Sequence, residues 1–572
     1  MPLIEIKAPY LRSLRKENEI DQFEFEFIKF LIRNYPNIEA NVIKCALIAV
    51  NDQLNGNICT NLESLSESIL AQKLGIDKID LTKLKHELVS SEIIGSPEEY
   101  KPFILEKNNL YLHKFWSYEN ELVNWLKKKR NEPSTLIDSN VVDKVNRLFP
   151  DTDGDLNYQK LAVFLSLTKS FLIISGGPGT GKTYTAKKII EALKIYNPQI
   201  NIALAAPTGK AADRLNESIS DLNGDFKAVT LHRLLGARSD GEFRFNENEK
   251  LLQDVIIIDE ASMLDIRMWV SMLRSLKSSA KLILLGDKDQ LSSVEAGSVL
   301  GDICFEADNY FTSETTEMLS KHGSECHQSN SINVLNDHIV LLNKSYRSEL
   351  SSGIPQLAKA INEKDLKSFD EVIRDFDQVQ IIEPDTENVN SLLNTYSEEI
   401  VNQKFDSQFL CSNKKGVFGT ENLNRLIESK IKSLLKIPVI NEWYAGRRIM
   451  ITKNDPILGL SNGEIGICVR LEDNSFVVIF GDDKEVKITE LKNFSLAYAI
   501  TIHKSQGSEF NSVYIFLPEE HNSILSKELL YTSVTRGRKN TLVIGKRELI
   551  DQTLKSEIKR NSSIREKLKH SL

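Results

Sequence analysis

The chain has 572 residues and only six cysteines, Cys45, Cys59, Cys304, Cys326, Cys411 and Cys468. They are scattered and form no CxxC pair, which argues against a disulfide framework and against a zinc module. Cys326-His327 is the single Cys-His neighbour pair, too little for a metal site. No run of about 18 or more apolar residues suggests a membrane span. The start, "MPLIEIKAPYLRS", lacks a basic segment followed by an apolar one, so no secretory signal is expected. Basic charge is not in excess either: 80 Asp and Glu against 72 Lys and Arg give a net charge of −8. That balance excludes coating of nucleic acid through bulk charge, but leaves room for a narrow binding track. A reducing cytoplasm is the expected compartment, and no membrane partner is expected.

What is present is ordinary in bulk, with 41% hydrophobic and 27% charged residues, and long enough for several domains. Residues 1 to about 135 predict a mainly helical unit, because "EIDQFEFEFIKFLIRNY" and "NVIKCALIAVNDQL" place apolar residues at helical spacing. "ILEKNNLYLHKFW" reads as a hairpin turning at "KNN", and the charged "LKKKRNEPST" reads as a solvated linker ending the unit. From about 150 to 340, short β-rich runs ("FLIISG", "NIALAAP", "DVIIIDE", "KLILLGD") alternate with helices, as in a parallel sheet buried on both faces. Residues 307 to 337 are polar and Ser-rich and read as a mobile surface excursion. Alternation resumes over 341 to 572 with "QFLCSN", "YAITIHKSQG", "SVYIFLP" and "NTLVIGK". Within that second half, residues about 445 to 493 form short alternating segments separated by "SNGE" and "GDD", as in a small β-barrel. No internal repeat is visible. The fold class is therefore α/β: two α/β domains, an N-terminal helical domain and an inserted small barrel.

Chemistry concentrates in a few stretches. "GGPGTGKT" comprises Gly176, Gly177, Pro178, Gly179, Thr180, Gly181, Lys182 and Thr183, and lies between an apolar run and a helical one. Its backbone N–H groups suit phosphates, Lys182 suits the β/γ-phosphates of ATP, and the Thr183 hydroxyl suits Mg2+. In "VIIIDEASML", Asp259 is placed to hold Mg2+ through water and Glu260 to polarise an attacking water. "LLGDKDQL" offers Gln290 as a γ-phosphate sensor. "KSYRS" and "YTSVTRGRK" offer Arg347 and Arg536, arginines able to reach a γ-phosphate from a second domain.

This ordered set resembles the superfamily-one helicases. The resemblance implies that Gln159 in "NYQK" reads adenine, and that Thr208 in "AAPTGKAADRL" and His232 in "TLHRLLG" meet single-stranded DNA. In "TIHKSQGSEF" it implies that Thr501, His503 and Ser505 face DNA while Glu509 approaches the ribose. The chain is still more similar to the RecD family, the 5′-to-3′ helicase (alpha) subunits of bacterial RecBCD exonuclease V. "GDKDQLSSVEAGSVLGDIC", "KSYRSELSSGIPQLAKAIN" and "WYAGRRIMITKNDPILGLSNGEIGI" carry that likeness beyond the general helicase pattern. One departure is Gly537 in "TRGRK", where Ala is frequent. The resemblance implies two RecA-like motor domains and an SH3-like barrel that helps hold the strand. It also implies RecB-like and RecC-like partner chains, DNA ends as substrate, a RecC-docking role for the N-terminal unit, and work in double-strand-break repair by homologous recombination. No nuclease constellation is found in this chain. Two alternatives stay open: a stand-alone RecD-like or Pif-like helicase, and a structural subunit with a dead motor. Intact Lys182, Asp259, Glu260, Gln290, Arg347 and Arg536 speak against the last.

Overall fold

The computed structural model describes residues 8–149, 156–222, 224, 226–293, 295–321, 326–328, 335–344, 352–455, 457–481, 484–522 and 524–569. Its centre is a six-stranded sheet in the spatial order Ile339–Leu342, Phe171–Gly176, Lys281–Gly286, Val255–Ile258, Ile202–Ala206, Ala228–Thr230. Every neighbouring pair is parallel. The strands are apolar throughout because helices cover both faces, and alternate residues divide cleanly between them. Phe171, Ile173, Ile256, Ile258, Leu282 and Leu284 enter one core. Leu172, Ile174, Ile257, Ile283 and Leu285 enter the other.

A second parallel sheet follows, in the order Val379–Ile382, Gly537–Ile544, Phe510–Phe516, Ser407–Cys411, Ala499–Thr501. Between its fourth and fifth strands in space the chain inserts a five-stranded antiparallel sheet. The order there is Lys484–Lys487, Phe476–Phe480, Ile465–Arg470, Arg448–Ile451, Phe494–Leu496. It has a small core of its own, built on Ile449, Cys468, Val478 and Phe480. Among the described residues no pairing joins its two edge strands.

The N-terminal unit packs helices Gln22–Asn34, Ala40–Leu54 and Leu81–Val89 around one core. Helix Gln22–Asn34 starts at a reciprocal cap, in which Asp21 accepts from the Glu24 N–H and Glu24 accepts from the Asp21 N–H. A hairpin, Phe103–Glu106 with Asn109–Leu112, turns through Lys107 at φ 55°. The next helix, His113–Arg130, belongs energetically to the first parallel-sheet domain: Leu122, Val123 and Leu126 share that sheet's core. Trp125 meets Phe171 edge-on at 5.1 Å, and Arg274 donates to both carboxylate oxygens of Glu121. "LKKKR" is thus the last turn of a packed helix, where cations favour the helix C-terminus, rather than a solvated linker. Lys129 is buried and paired with Glu132 at 2.9 Å.

The described part of residues 307 to 337 also differs from a loose excursion. Phe311 and Leu319 are buried against the first sheet, and Asp337 accepts from Thr312 and Thr315. A C-terminal strap closes the molecule. Asn561 accepts from the backbone of Ile58 and Cys59, Arg565 pairs with Asp302, and Lys567 reaches the buried Glu119 at 3.0 Å. The strap therefore ties the N-terminal unit to the first parallel-sheet domain after leaving the second.

Candidate functional site: a nucleotide cleft between two motor domains

The loop after strand Phe171–Gly176 turns through Gly179 (φ 80°) and Gly181 (φ 81°), a left-handed backbone that side-chain-bearing residues adopt rarely. A Cβ on Gly176 would lie 2.6 Å from Thr180 Oγ1 and 2.9 Å from Leu342 Cβ, so the loop can close only over glycine. Helix Lys182–Tyr196 begins at Gly181 and points its positive end into the loop. Lys182 Nζ donates to the Gly176 and Gly177 carbonyls at 2.5 and 3.1 Å. Gln159 is buried and donates to the Thr180 carbonyl at 3.1 Å, directly beneath the loop.

A cavity of about 300 Å³ opens there, lined by Pro178, Gly179, Gly181, Lys182 and Thr183 from the loop and by Asp259, Glu260, Gln290, Glu509 and Arg536 from elsewhere. The sequence thus named nearly all of this wall. Glu260 stands at φ 55°, a conformation costing about 1–3 kcal/mol in a residue with a side chain. Its Oε2 is buried without a hydrogen-bond partner among the described residues, as is Gln290 Oε1. Burial, reinforced by neighbouring Glu260 and opposed by Lys182, raises the Asp259 carboxyl above the usual range. Arg536 is 2% exposed; its guanidinium donates to the Thr532 and Ser508 carbonyls, and it forms no ion pair among the described residues. Glu260 and Glu509 act on it only at longer range, and a buried cation with no carboxylate in direct contact is costly, so Arg536 together with Lys182 offers positive charge to an anion. Arg347 lies outside the described residues.

Several members were not singled out from sequence although each lies inside a quoted motif. Arg214, on the helix Gly209–Ile219, donates to Glu509 at 2.6 Å across the cleft, and Arg538 holds the other Glu509 oxygen at 3.0 Å. Asp287 accepts from Tyr531 Oη at 2.9 Å and from Gln290 Nε2 at 3.3 Å, and burial pushes its carboxyl up to about 6. No local signal distinguishes Arg214 and Asp287, because their partners Glu509 and Tyr531 lie 295 and 244 positions away.

The five residues expected to face DNA are less uniform. Thr208, His232 and His503 all follow carboxyl ends of parallel strands, the edge where α/β sheets bind ligands. Thr208 Oγ1 accepts from the Ala211 N–H as a helix cap. His232 lies 5.8 Å from the Phe243 ring, and burial lowers its pKa. Burial, helped by Arg560, lowers that of His503 too. Thr501 is buried at the strand end. Ser505 is fully buried, and its hydroxyl donates to the Ile502 carbonyl at 2.7 Å, so it serves its own turn instead of an open face. Near Thr208 the three bodies meet: a Cβ on Gly209 would lie 2.6 Å from Ser461 Cβ of the inserted sheet, and Gly507 of the second motor faces Ala211.

A glycine loop, a paired Asp259–Glu260 strand end and a buried arginine from a second parallel domain have the arrangement of a P-loop NTPase, and comparisons with known proteins carry that class to the helicases. Profiles described as "AAA domain", "UvrD-like helicase C-terminal domain" and "RecBCD enzyme subunit RecD, N-terminal domain" match residues 159–296, 496–544 and 16–111. The RecBCD enzyme subunit RecD of Buchnera aphidicola (Schizaphis graminum) is 33% identical, over 95% of this chain and 98% of its own. That of Haemophilus influenzae is 32% identical over 81% and 80%. The ATP-dependent RecD2 DNA helicase of Deinococcus radiodurans is 30% identical, but over 64% of this chain and only 46% of its own. The chain belongs to the RecD family and is an ATP-dependent DNA helicase.

Proposed function

We propose that the chain is the 5′-to-3′ translocating subunit of a RecBCD-type exonuclease V. It would work in the bacterial cytoplasm with RecB-like and RecC-like chains on double-stranded ends and the single strands drawn from them, during break repair by homologous recombination. The observation that carries the motor reading is the convergence of Lys182, Asp259, Glu260, Gln290 and Arg536 from two domains on one cavity. ATP phosphates would lie on the loop N–H groups, with Lys182 and Arg536 stabilising the charge that develops on the transferred phosphoryl group. Glu260, on the cavity wall with one carboxylate oxygen unpartnered among the described residues, would orient and deprotonate water. The buried Asp259 carboxyl and the Thr183 hydroxyl fit Mg2+, which supplies neutralisation of phosphate charge when bound. Gln159 would read the base and Glu509 the ribose; Arg347 would be a second cation toward the γ-phosphate.

We read the inserted antiparallel sheet as the SH3-like element that helps hold the strand, and Thr208, His232 and His503 as its neighbours on the DNA track. A duplex with a 5′ single-stranded tail should be unwound with ATP and Mg2+, and one with a 3′ tail should not. The reverse preference would overturn the polarity. The RecD2 relative matches over less than half its own length, which favours the subunit over the stand-alone reading. Docking onto the RecC-like chain is assigned to the N-terminal unit, where Phe23 and Phe30 are each 57% exposed on one helix. Helix His113–Arg130 must stay in any variant because it is motor core. A Phe23→Glu/Phe30→Glu chain should keep strand-stimulated ATPase and fail to co-elute with both partners on gel filtration; normal co-elution would remove this face from the interface.

A further inference from the structure

Leu291 follows the proposed γ-phosphate sensor Gln290 and belongs by chain order to the first motor, yet its hydrogen bonds and its core cluster among the described residues belong to the second. Its side chain, 1% exposed, packs in the second motor's core with Leu529, Leu530, Tyr531 and Val534. Its N–H donates to Thr532 Oγ1 at 2.8 Å, and its carbonyl accepts from Gln506 Nε2 at 2.6 Å. Thr532 and Gln506 are both buried, so these bonds are shielded from competing water. One residue earlier, Gln290 Oε1 is buried, unpartnered among the described residues, and on the cavity wall. Gln290 Nε2 is held through Asp287 to Tyr531, again in the second motor.

We infer that Leu291 is a plug seated in the second motor, and that Thr532 and Gln506 are positioning residues that pass the state of Gln290 from the nucleotide cleft to the second motor. Neither side chain lines the nucleotide cavity, so each acts through the Leu291 peptide groups. A shift of Gln290 toward or away from a γ-phosphate must move Leu291, and Leu291 cannot move without the second motor or without leaving two buried polar groups unpaired. Coupling of this kind appears as a nucleotide-dependent change in strand affinity. The inference rests on the motor reading above.

The test measures dissociation constants for a single-stranded oligonucleotide on the full chain, with and without a non-hydrolysable ATP analogue. Thr532→Val keeps shape and removes the acceptor; Gln506→Met keeps length and removes the donor. In both, analogue affinity should stay within about twofold, while the strand-affinity ratio between the two nucleotide states should fall toward one. A wild-type ratio of order tenfold would then be largely lost. Thr532→Ser, which restores the hydroxyl, should recover it. Should one variant fail to fold, the other carries the test. Ratios in folded Val and Met variants equal to wild type would overturn the inference alone. A wild-type chain with no strand-stimulated hydrolysis and no nucleotide-linked ratio would overturn both this inference and the motor reading.

Discussion

The nucleotide cleft and the proposed DNA track were both read from short motifs, and they fare differently. In the cleft, residues from two domains converge on one cavity, and two of them keep buried polar atoms unpartnered among the described residues. On the track, Thr208 and Ser505 already bond to their own backbone, while Thr501 is buried. The difference teaches that a cleft for a small, highly charged ligand must be organised in advance, because aiming buried charges costs more than local structure alone recovers. A long polyanion can be held by many exposed contacts, each individually weak.

The largest effect that would sharpen this contrast lies in the cleft. Lys182→Gln should lower strand-stimulated ATP hydrolysis by about 10²–10³ or more without unfolding the chain. Near-normal turnover in a folded variant would break the assignment. Next comes the bridge over the cleft: Arg214→Ala removes a charge-assisted bond from Glu509. Such bonds are worth about 1.5–3 kcal/mol, so kcat/KM for ATP should fall by about ten- to a hundredfold. An unchanged value would mean that Arg538 alone holds Glu509.

On the track, His232→Ala/His503→Ala spares the Thr208 helix cap. Strand affinity should drop by about tenfold and basal hydrolysis should stay within about twofold. If the hydrolysis falls as far as the affinity, the two regions are not separable. The smallest effect is a pH slope. The Asp287 carboxyl is held up to about 6, so the folded chain retains its proton while the unfolded chain gives it up. That contribution to stability is full below the ordinary carboxylate range near 3.9 and is lost as pH rises through about 6. Thermal melts of Asp287→Asn should show a flatter dependence over that window. A slope matching the wild type would place the titration elsewhere.

Some things were legible in the residues themselves. Glycine spacing in "GGPGTGKT" dictates the loop, because glycine takes the left-handed turns at Gly179 and Gly181 without the cost that a side chain would add. Apolar runs such as "VIII" dictate strands buried on both faces, and an acidic pair immediately after such a run is carried to the sheet's carboxyl edge. These are short-range consequences, set by backbone geometry within a few residues. Tertiary structure decided the rest. It gave Leu291 to the second motor through partners 241 and 215 positions away, and joined Arg214 to Glu509 across 295. It also moved helix His113–Arg130 into the motor's core and buried the Ser505 hydroxyl within its own turn. Amphipathic spacing tells a helix which face to bury but not which neighbour will cover it, since hydrophobic burial is non-directional. Ion pairs and buried hydrogen bonds between distant residues then settle where packing has already placed the chains.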